Sequence, residues 1–257
     1  MMDDTIVNYF IWFIGCIFSS VITAISGGGG MISIPLLIYL GLPSHFILGI
    51  NKVILTTASV TATWRYYKNG LLQLNQELLL SFVLCIGMAV FGAEMSDVLS
   101  TYYMLILLLV MIILLFLMDW LTKKRNQDNE KNKAHLRPKI IYPTAIVIGF
   151  YSGFFGPGTS VISFFIISFF ASVPTMINVA FSKSLAMISS LAALITFAVE
   201  GKVLWDYGLI GLVGAFKGSW IGAGLAMKVD PKKVKLFFNV MLVVFLMKTL
   251  YDLFIES

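Results

Sequence analysis

From Thr101 to Met118 the chain reads TYYMLILLLVMIILLFLM, eighteen residues without a charge. About 20 apolar residues at a rise of 1.5 Å each cover the hydrocarbon core of a bilayer, so this run predicts a membrane-crossing helix. The pattern recurs along the chain. Five apolar segments come first: Thr5 to Ser26, Met31 to Leu40, Ser44 to Tyr66, Gln76 to Ala93, and Thr101 to Leu121. A hydrophilic stretch, KKRNQDNEKNKAHLRPK from Lys123 to Lys139, then interrupts them. Five more follow: Lys139 to Phe155, Thr159 to Ala171, Pro174 to Val199, Asp206 to Met227, and Pro231 to Ile255. Only 12% of the 257 residues are charged, against about 25% in a soluble domain. The expected class is an all-α polytopic membrane protein of about ten helical segments. It divides into a first transmembrane repeat (1–121), a charged cytoplasmic linker (122–138) and a second transmembrane repeat (139–257).

Charge fixes the rest of the outline. The net charge is +5, but the basic residues sit in short loops between apolar spans, a topology signal and not a nucleic-acid surface. The N-terminus carries Asp3 and Asp4 where a secretory signal carries a basic region, so the first span is expected to belong to the mature protein. Cys16 and Cys85 lie inside apolar spans without metal-ligand spacing and read as small core residues.

The two halves match at a nearly constant offset. SGGGG (Ser26 to Gly30) falls over GPGTS (Gly156 to Ser160), and GLP (Gly41 to Pro43) over SVP (Ser172 to Pro174). Asn51 and Lys52 fall over Ser182 and Lys183, Asn69 and Gly70 over Glu200 and Gly201, and Gly87 over Gly218. The second segment of each half is short and follows a Gly-rich break. Loop charges alternate in sign between the halves. The loop after the third segment is basic in the first half (Arg65, Lys68) and slightly acidic in the second (Glu200, Lys202, Asp206). The following loop is acidic in the first half (Glu94, Asp97) and basic in the second (Lys228, Lys232, Lys233, Lys235). Basic loops stay cytoplasmic, so two inverted repeats with both termini outside satisfy the charges. A parallel repeat with four crossings per half and two re-entrant hairpins leaves one basic loop on the wrong side.

Lys52 and Lys183 are the most costly residues in the chain. An ionisable group at helix centre costs about 2.5 to 3.5 kcal/mol on insertion scales. Either the two face a shared central site and attract an anion, or each snorkels to an interface or binds a carbonyl of the neighbouring half. Asn51 and Ser182, one position earlier, could donate to the same anion or simply bond a nearby backbone. Lys217 is a weaker candidate, in the Gly-rich GAFKGSWIGAG, which also reads as a packing face. Glu94 and His45 fall near span ends, and Arg65 and Lys68, among Trp64, Tyr66 and Tyr67, read as an interfacial anchor.

The glycine breaks complete the candidate site. Unwound backbone at membrane depth survives only where protein or a water-filled cavity satisfies it. A helix that restarts after a break presents free N–H groups and the positive end of its dipole, which favour an anion. Gly28, Gly29 and Gly30 let the backbone approach a ligand, and Thr159 and Ser160 offer hydroxyls at the matching place. The alternative is that these glycines only permit close packing. Two broken helices aimed at the midplane form a recurring transporter design.

Several function classes fall away. Nothing resembles a P-loop. The two histidines, His45 and His135, form no metal set or catalytic triad with the cysteines and acids, so an enzyme is not expected, nor a cofactor or metal. The expected partners are a small anionic solute and the lipid bilayer. A channel, a transporter for another solute such as a carboxylate, or a non-transport partner subunit are the competing functions.

The motifs GGGMISIPLLIYLGLP (Gly28 to Pro43) and LGINKVILTTASVTATWRYYKNG (Leu48 to Gly70) resemble the TauE/SafE family of sulfite-exporter, or TSUP-type, permeases. So do VAFSKSLAMISSLAALITFAVEGKVLW (Val179 to Trp205) and GLVGAFKGSWIGAGLAMKV (Gly211 to Val229). In the second half Gly158, Thr159, Ser160 and Phe165 stand where that family usually repeats a glycine triplet followed by a proline. The resemblance implies transport of sulfite, sulfoacetate or related organosulfonates across a bacterial cytoplasmic membrane. The residues themselves imply a cationic site and do not single out sulfur.

Overall fold

A computed structural model describes residues 2–25, 27–73, 75–125, 138–171, 173–228 and 247. Among the described residues every element is helical. The order is α1 (Met2–Ile25), α2 (Gly30–Tyr39), α3 (Ser44–Lys68), α4 (Gln76–Glu94) with a 3-10 turn (Met95–Val98), and α5 (Thr101–Arg125). Then come α6 (Pro138–Phe154), α7 (Thr159–Phe170), α8 (Thr175–Val199) and α9 (Trp205–Lys228). Nine of the expected segments are therefore helices, with ends within a few residues of the expected ones. The tenth, Pro231 to Ile255, lies outside the described residues apart from Met247.

Five of these helices are long and apolar enough to cross a membrane: Ile6–Ile25, Ser44–Lys68, Gln76–Val98, Thr175–Val199 and Trp205–Lys228. The chain is a polytopic membrane protein. Helices α2 and α7 have 10 and 12 residues, and a helix of that length covers roughly half of the hydrocarbon thickness. Neither crosses alone.

Burial sorts the helices into two layers. In α3, 83% of the apolar window is buried, and in α8 61%, against 33% in α1 and α4. Helices α3 and α8 pack on each other at the centre. Their interiors are polar: Asn51, Lys52, Ser59 and Thr61 on α3, and Asn178, Ser182, Lys183 and Ser190 on α8, are all buried. The outer surface is apolar, with Phe10, Ile14 and Phe18 on α1 and Val213, Phe216 and Trp220 on α9 exposed. That is the reverse of a soluble fold and suits a lipid surround.

Two helix pairs, α1 with α9 and α4 with α6, make the most extensive contacts. Both are glycine seams. A Cβ at Gly218 or Gly222 would fall on the carbonyl oxygens of Ile17 or Val21 of α1. One at Gly149 would lie 2.5 Å from the Cys85 carbonyl of α4, and one at Gly153 would meet that of Ala89. Small residues let backbones approach where lipid supplies no hydrophobic drive. The Gly-rich run of α9 is thus a packing face. Lys217 lies on its exposed side, with Nζ 5.7 Å from the Phe13 ring centroid.

Helices α3 and α8 also end alike. Gly70 and Gly201 take φ of +72° and +71°. The Leu71 N–H reaches the Tyr66 carbonyl at 3.1 Å, and the Lys202 N–H reaches that of Phe197 at 2.8 Å. This is the Schellman arrangement, in which a left-handed glycine closes the last carbonyls of the helix.

Gly87 and Gly218, matched in sequence, differ in role: a Cβ at Gly87 would meet nothing within 4 Å. Gly218→Leu should therefore destabilise the protein by at least the 1–3 kcal/mol or so typical of overpacking, and Gly87→Leu should be close to neutral. Thermal unfolding in detergent checks the difference.

Candidate functional site

Helix α1 stops at Ile25 and α2 restarts at Gly30. Between them Gly27 takes φ of +96°, a left-handed conformation that glycine alone adopts without steric cost. Helix α6 stops at Phe154 and α7 restarts at Thr159, with Gly156 at +102° and Gly158 at +75°. Each break exposes two kinds of group. The last carbonyls of the preceding helix lose their partners, and the first N–H groups of the next have none.

The carbonyl ends are taken by the two lysines, crosswise. Lys52, from α3, donates to the Ser152 carbonyl in the last turn of α6. Lys183, from α8, donates to the Thr23 carbonyl in the last turn of α1. Both side chains are fully buried. An ammonium at a helix C-terminus also meets the negative end of the dipole. The expectation that each lysine binds a carbonyl of the neighbouring half describes these contacts.

The breaks themselves touch. A Cβ at Gly30 would lie 2.9 Å from Pro157 Cα, and one at Gly27 would lie 2.5 Å from Ser160 Cβ and 3.2 Å from Lys183 Nζ. At Gly156 a Cβ would fall on Lys52 Nζ. The starts of α2 and α7, with both ammonium groups, therefore share one buried centre.

The N–H groups of Met31, Ile32 and Ser33 close onto the carbonyls of Gly28 and Gly29, at 3.0, 2.9 and 3.1 Å. Those of Val161 and Ile162 close onto Gly158 at 2.8 and 3.0 Å. Ahead of these, the first N–H groups of a helix have no acceptor within the helix itself.

Polar side chains surround this point. Ser33 Oγ donates to Asn51 Oδ1 at 2.6 Å, while Asn51 Nδ2 is buried without an acceptor. Ser152 Oγ and Ser163 Oγ are likewise buried and unpartnered. Such atoms are rare because each carries an uncompensated desolvation cost of about 1–3 kcal/mol. Other hydroxyls of the second half are satisfied locally. Ser182 Oγ donates to Asn178 Oδ1 at 3.2 Å. Thr159 Oγ1 donates to the Gly156 carbonyl at 2.5 Å and so closes the loop. Among the described residues no group of three His, Cys, Asp or Glu is placed to hold a metal.

Thus Lys52, Lys183, Asn51, Ser182, Gly28, Gly29, Gly30, Thr159 and Ser160 lie on the elements that meet at the two breaks. Lys217, His45 and Glu94 are exposed and stay apart. Arg65 donates to the Trp220 carbonyl and stacks at 4.6 Å on its ring, pinning α3 to α9. Sequence reasoning passed over Gly27 and Gly156, although both stand in the quoted Gly-rich motifs. It also passed over Thr23 and Ser152, which act through main-chain oxygens and leave no side-chain signal.

The model of the family described as "Sulfite exporter TauE/SafE" matches residues 11–249. The chain belongs to the TauE/SafE family. A "Probable membrane transporter protein ORF9" from Sinorhizobium sp. is 31% identical over 226 residues, 87% of this chain and 85% of the relative. A "Probable membrane transporter protein" from Haemophilus influenzae is 28% identical over 91% of both chains. One from Escherichia coli, YfcA, is 26% identical over 90% of this chain and 85% of its own. No solved structure matches this chain. Like the rest of the TauE/SafE family, the chain is a membrane transporter.

The contact between Gly156 and Lys52 makes a direct prediction. Gly41 also has a positive φ, +74°, but a Cβ there would meet nothing within 4 Å. Gly41→Ala should cost only the left-handed strain, about 1–2 kcal/mol. Gly156→Ala should cost more, because it also displaces a buried ammonium. In a Lys52→Met background the gap between the two should narrow, leaving the contact of the new Cβ with the Ser152 carbonyl at 3.2 Å, a double-mutant comparison that thermal unfolding can read.

Proposed function

We propose that the chain is a secondary transporter for small anions, with sulfite and short organosulfonates as the favoured substrates. It works by alternating access around the centre where the two helix breaks meet. The observation that carries this reading is the convergence of two helix starts and two buried ammonium groups on one point. Every one of these features favours negative charge.

Lys52 and Lys183 are the principal anion ligands. The N–H groups from Gly28 to Gly30 and at the start of α7 complete the cradle. Asn51, with its free Nδ2, Ser182, Thr159 and Ser160 set orientation. When an anion arrives, each ammonium exchanges a carbonyl of the opposite break for an anion oxygen. Charged hydrogen bonds are worth about 1.5–3 kcal/mol, so the exchange also loosens two ties between the halves. That couples binding to movement, since a ligand shifts a conformational equilibrium only through differential contacts.

The architecture that suits this cycle is a pair of inverted five-segment repeats, residues 1–121 and 139–257, joined by a cytoplasmic linker at 122–138. Four features support it: α3 and α8 share 25 residues and one type of C-cap; the pair α1–α9 answers the pair α6–α4; the lysine contacts are reciprocal; and the loop charges alternate. The chain then sits in the bacterial cytoplasmic membrane with both termini outside. The sulfur preference rests on the family description.

Proteoliposomes test the reading. Uptake of sulfite or a short organosulfonate should saturate, and Lys52→Ala and Lys183→Ala should each lower it roughly 30-fold or more, as expected when one partner of a buried charged pair is removed. Wild-type flux in both variants would make the lysines structural ties only. Saturable, lysine-dependent flux of carboxylates but not sulfur oxyanions would keep the site and replace the substrate.

A further inference from the structure

The two ends of the α3–α8 pair differ. Beyond α8, the Lys202 ammonium pairs with Asp97, in the turn after α4, and with Glu200 at 2.7 Å. Partial burial pulls the Lys202 ammonium down, but the hydrogen bonds and charges of Asp97 and Glu200 outweigh it and hold the group above the ordinary lysine range. The loop carrying Lys202 lies directly on α3. A Cβ at Gly49 would fall on the Lys202 carbonyl and lie 3.2 Å from Val203, which is itself buried. Gly49 is three residues before Lys52, one turn of the same helix. This end is shut, and the tie joins residues 105 apart in sequence.

Beyond α3 the matching loop lacks the charged tie. At the spacing that relates Lys52 to Lys183, the counterparts of Glu200 and Lys202 are Asn69 and Leu71, neither of them charged. A cavity of about 570 Å³ opens there, lined by residues that include Gly70, Leu72, Asn75, Leu78, Ile177 and Phe181. Phe181 stands two residues before Lys183 on α8. The loop that bounds the cavity follows the basic Arg65 and Lys68, so by the charge rule this end faces the cytoplasm.

We propose that this structure is an inward-facing occluded state, in which the cavity is the cytoplasmic vestibule, closed off from the paired lysines, and Lys202, Asp97 and Glu200 form the outer gate. The assignment rests on the transporter reading above. Phe181, which lines the vestibule and is itself buried, closes its inner end short of the level of Lys183. An exposed ion pair biases an equilibrium only modestly, which suits a gate that must open in every cycle.

Accessibility tests this without any solute. With Cys16→Ala and Cys85→Ala as background, Ile177→Cys reports the vestibule and Leu48→Cys reports α3 behind the Lys202 loop. A membrane-impermeant maleimide is applied to right-side-out and inverted vesicles. Ile177→Cys should react from the cytoplasmic side at least about ten-fold faster than Leu48→Cys does from the outside. Adding Lys202→Glu, which sets three acids together, should speed outside labelling of Leu48→Cys roughly two- to five-fold, the scale of an exposed pair. Adding Asp97→Lys to Lys202→Glu should return it toward the starting rate. Lys202→Gln serves as the milder variant if Lys202→Glu folds poorly, and should act in the same direction. Leu48→Cys labelling that ignores Lys202, or Ile177→Cys reacting only from outside, would overturn the gate. Loss of anion flux in wild-type protein with the labelling pattern intact would overturn the substrate reading and leave the gate standing.

Discussion

A lysine ammonium buried inside a membrane protein must find oxygen, and a helix broken inside one must find donors for its last carbonyls. The structure meets both requirements with the same two contacts. Lys52 closes the end of α6 and Lys183 closes the end of α1. Neither break nor lysine is tolerable alone, because an unpaired charge or unpaired backbone group at that depth costs several kcal/mol. Placed crosswise, they hold the two halves against each other at the centre.

This arrangement leaves the opposite polarity unmet. The carbonyl ends of the breaks are met by ammonium groups, whereas the helix starts that follow present the positive ends of their dipoles. Two ammonium groups and two helix starts, which carry positive charge and positive dipole ends, converge there. The buried, unpartnered Asn51 Nδ2 adds one more donor. The centre is therefore built from the backbone as much as from the side chains.

The surrounding helices serve that centre by coming close. Glycine seams between α1 and α9 and between α4 and α6 bring backbones into contact with no room for a methyl group. They fix the outer layer, so that α3 and α8 can be lined with serine, threonine and asparagine without exposing them to lipid. The two ends of this central pair then differ in detail: a charged tie packs one loop onto α3, and an uncharged loop borders a cavity at the other.

Much of this was legible in the chain. Apolar run length gave nine described helices and their ends, since a bilayer imposes its thickness on sequence. The matched lysines and glycine breaks marked the centre because charge and glycine are costly inside membrane helices and persist there only for a reason. The tertiary structure decided the rest. It placed Lys217 on the outside and Lys52 on the inside, although both lie mid-span. It separated Gly218, pressed against Ile17, from Gly87, which touches nothing. It also supplied Thr23 and Ser152 as lysine acceptors. Main-chain oxygens look the same at every residue, and which of them lies within reach of a lysine is set only when the helices pack.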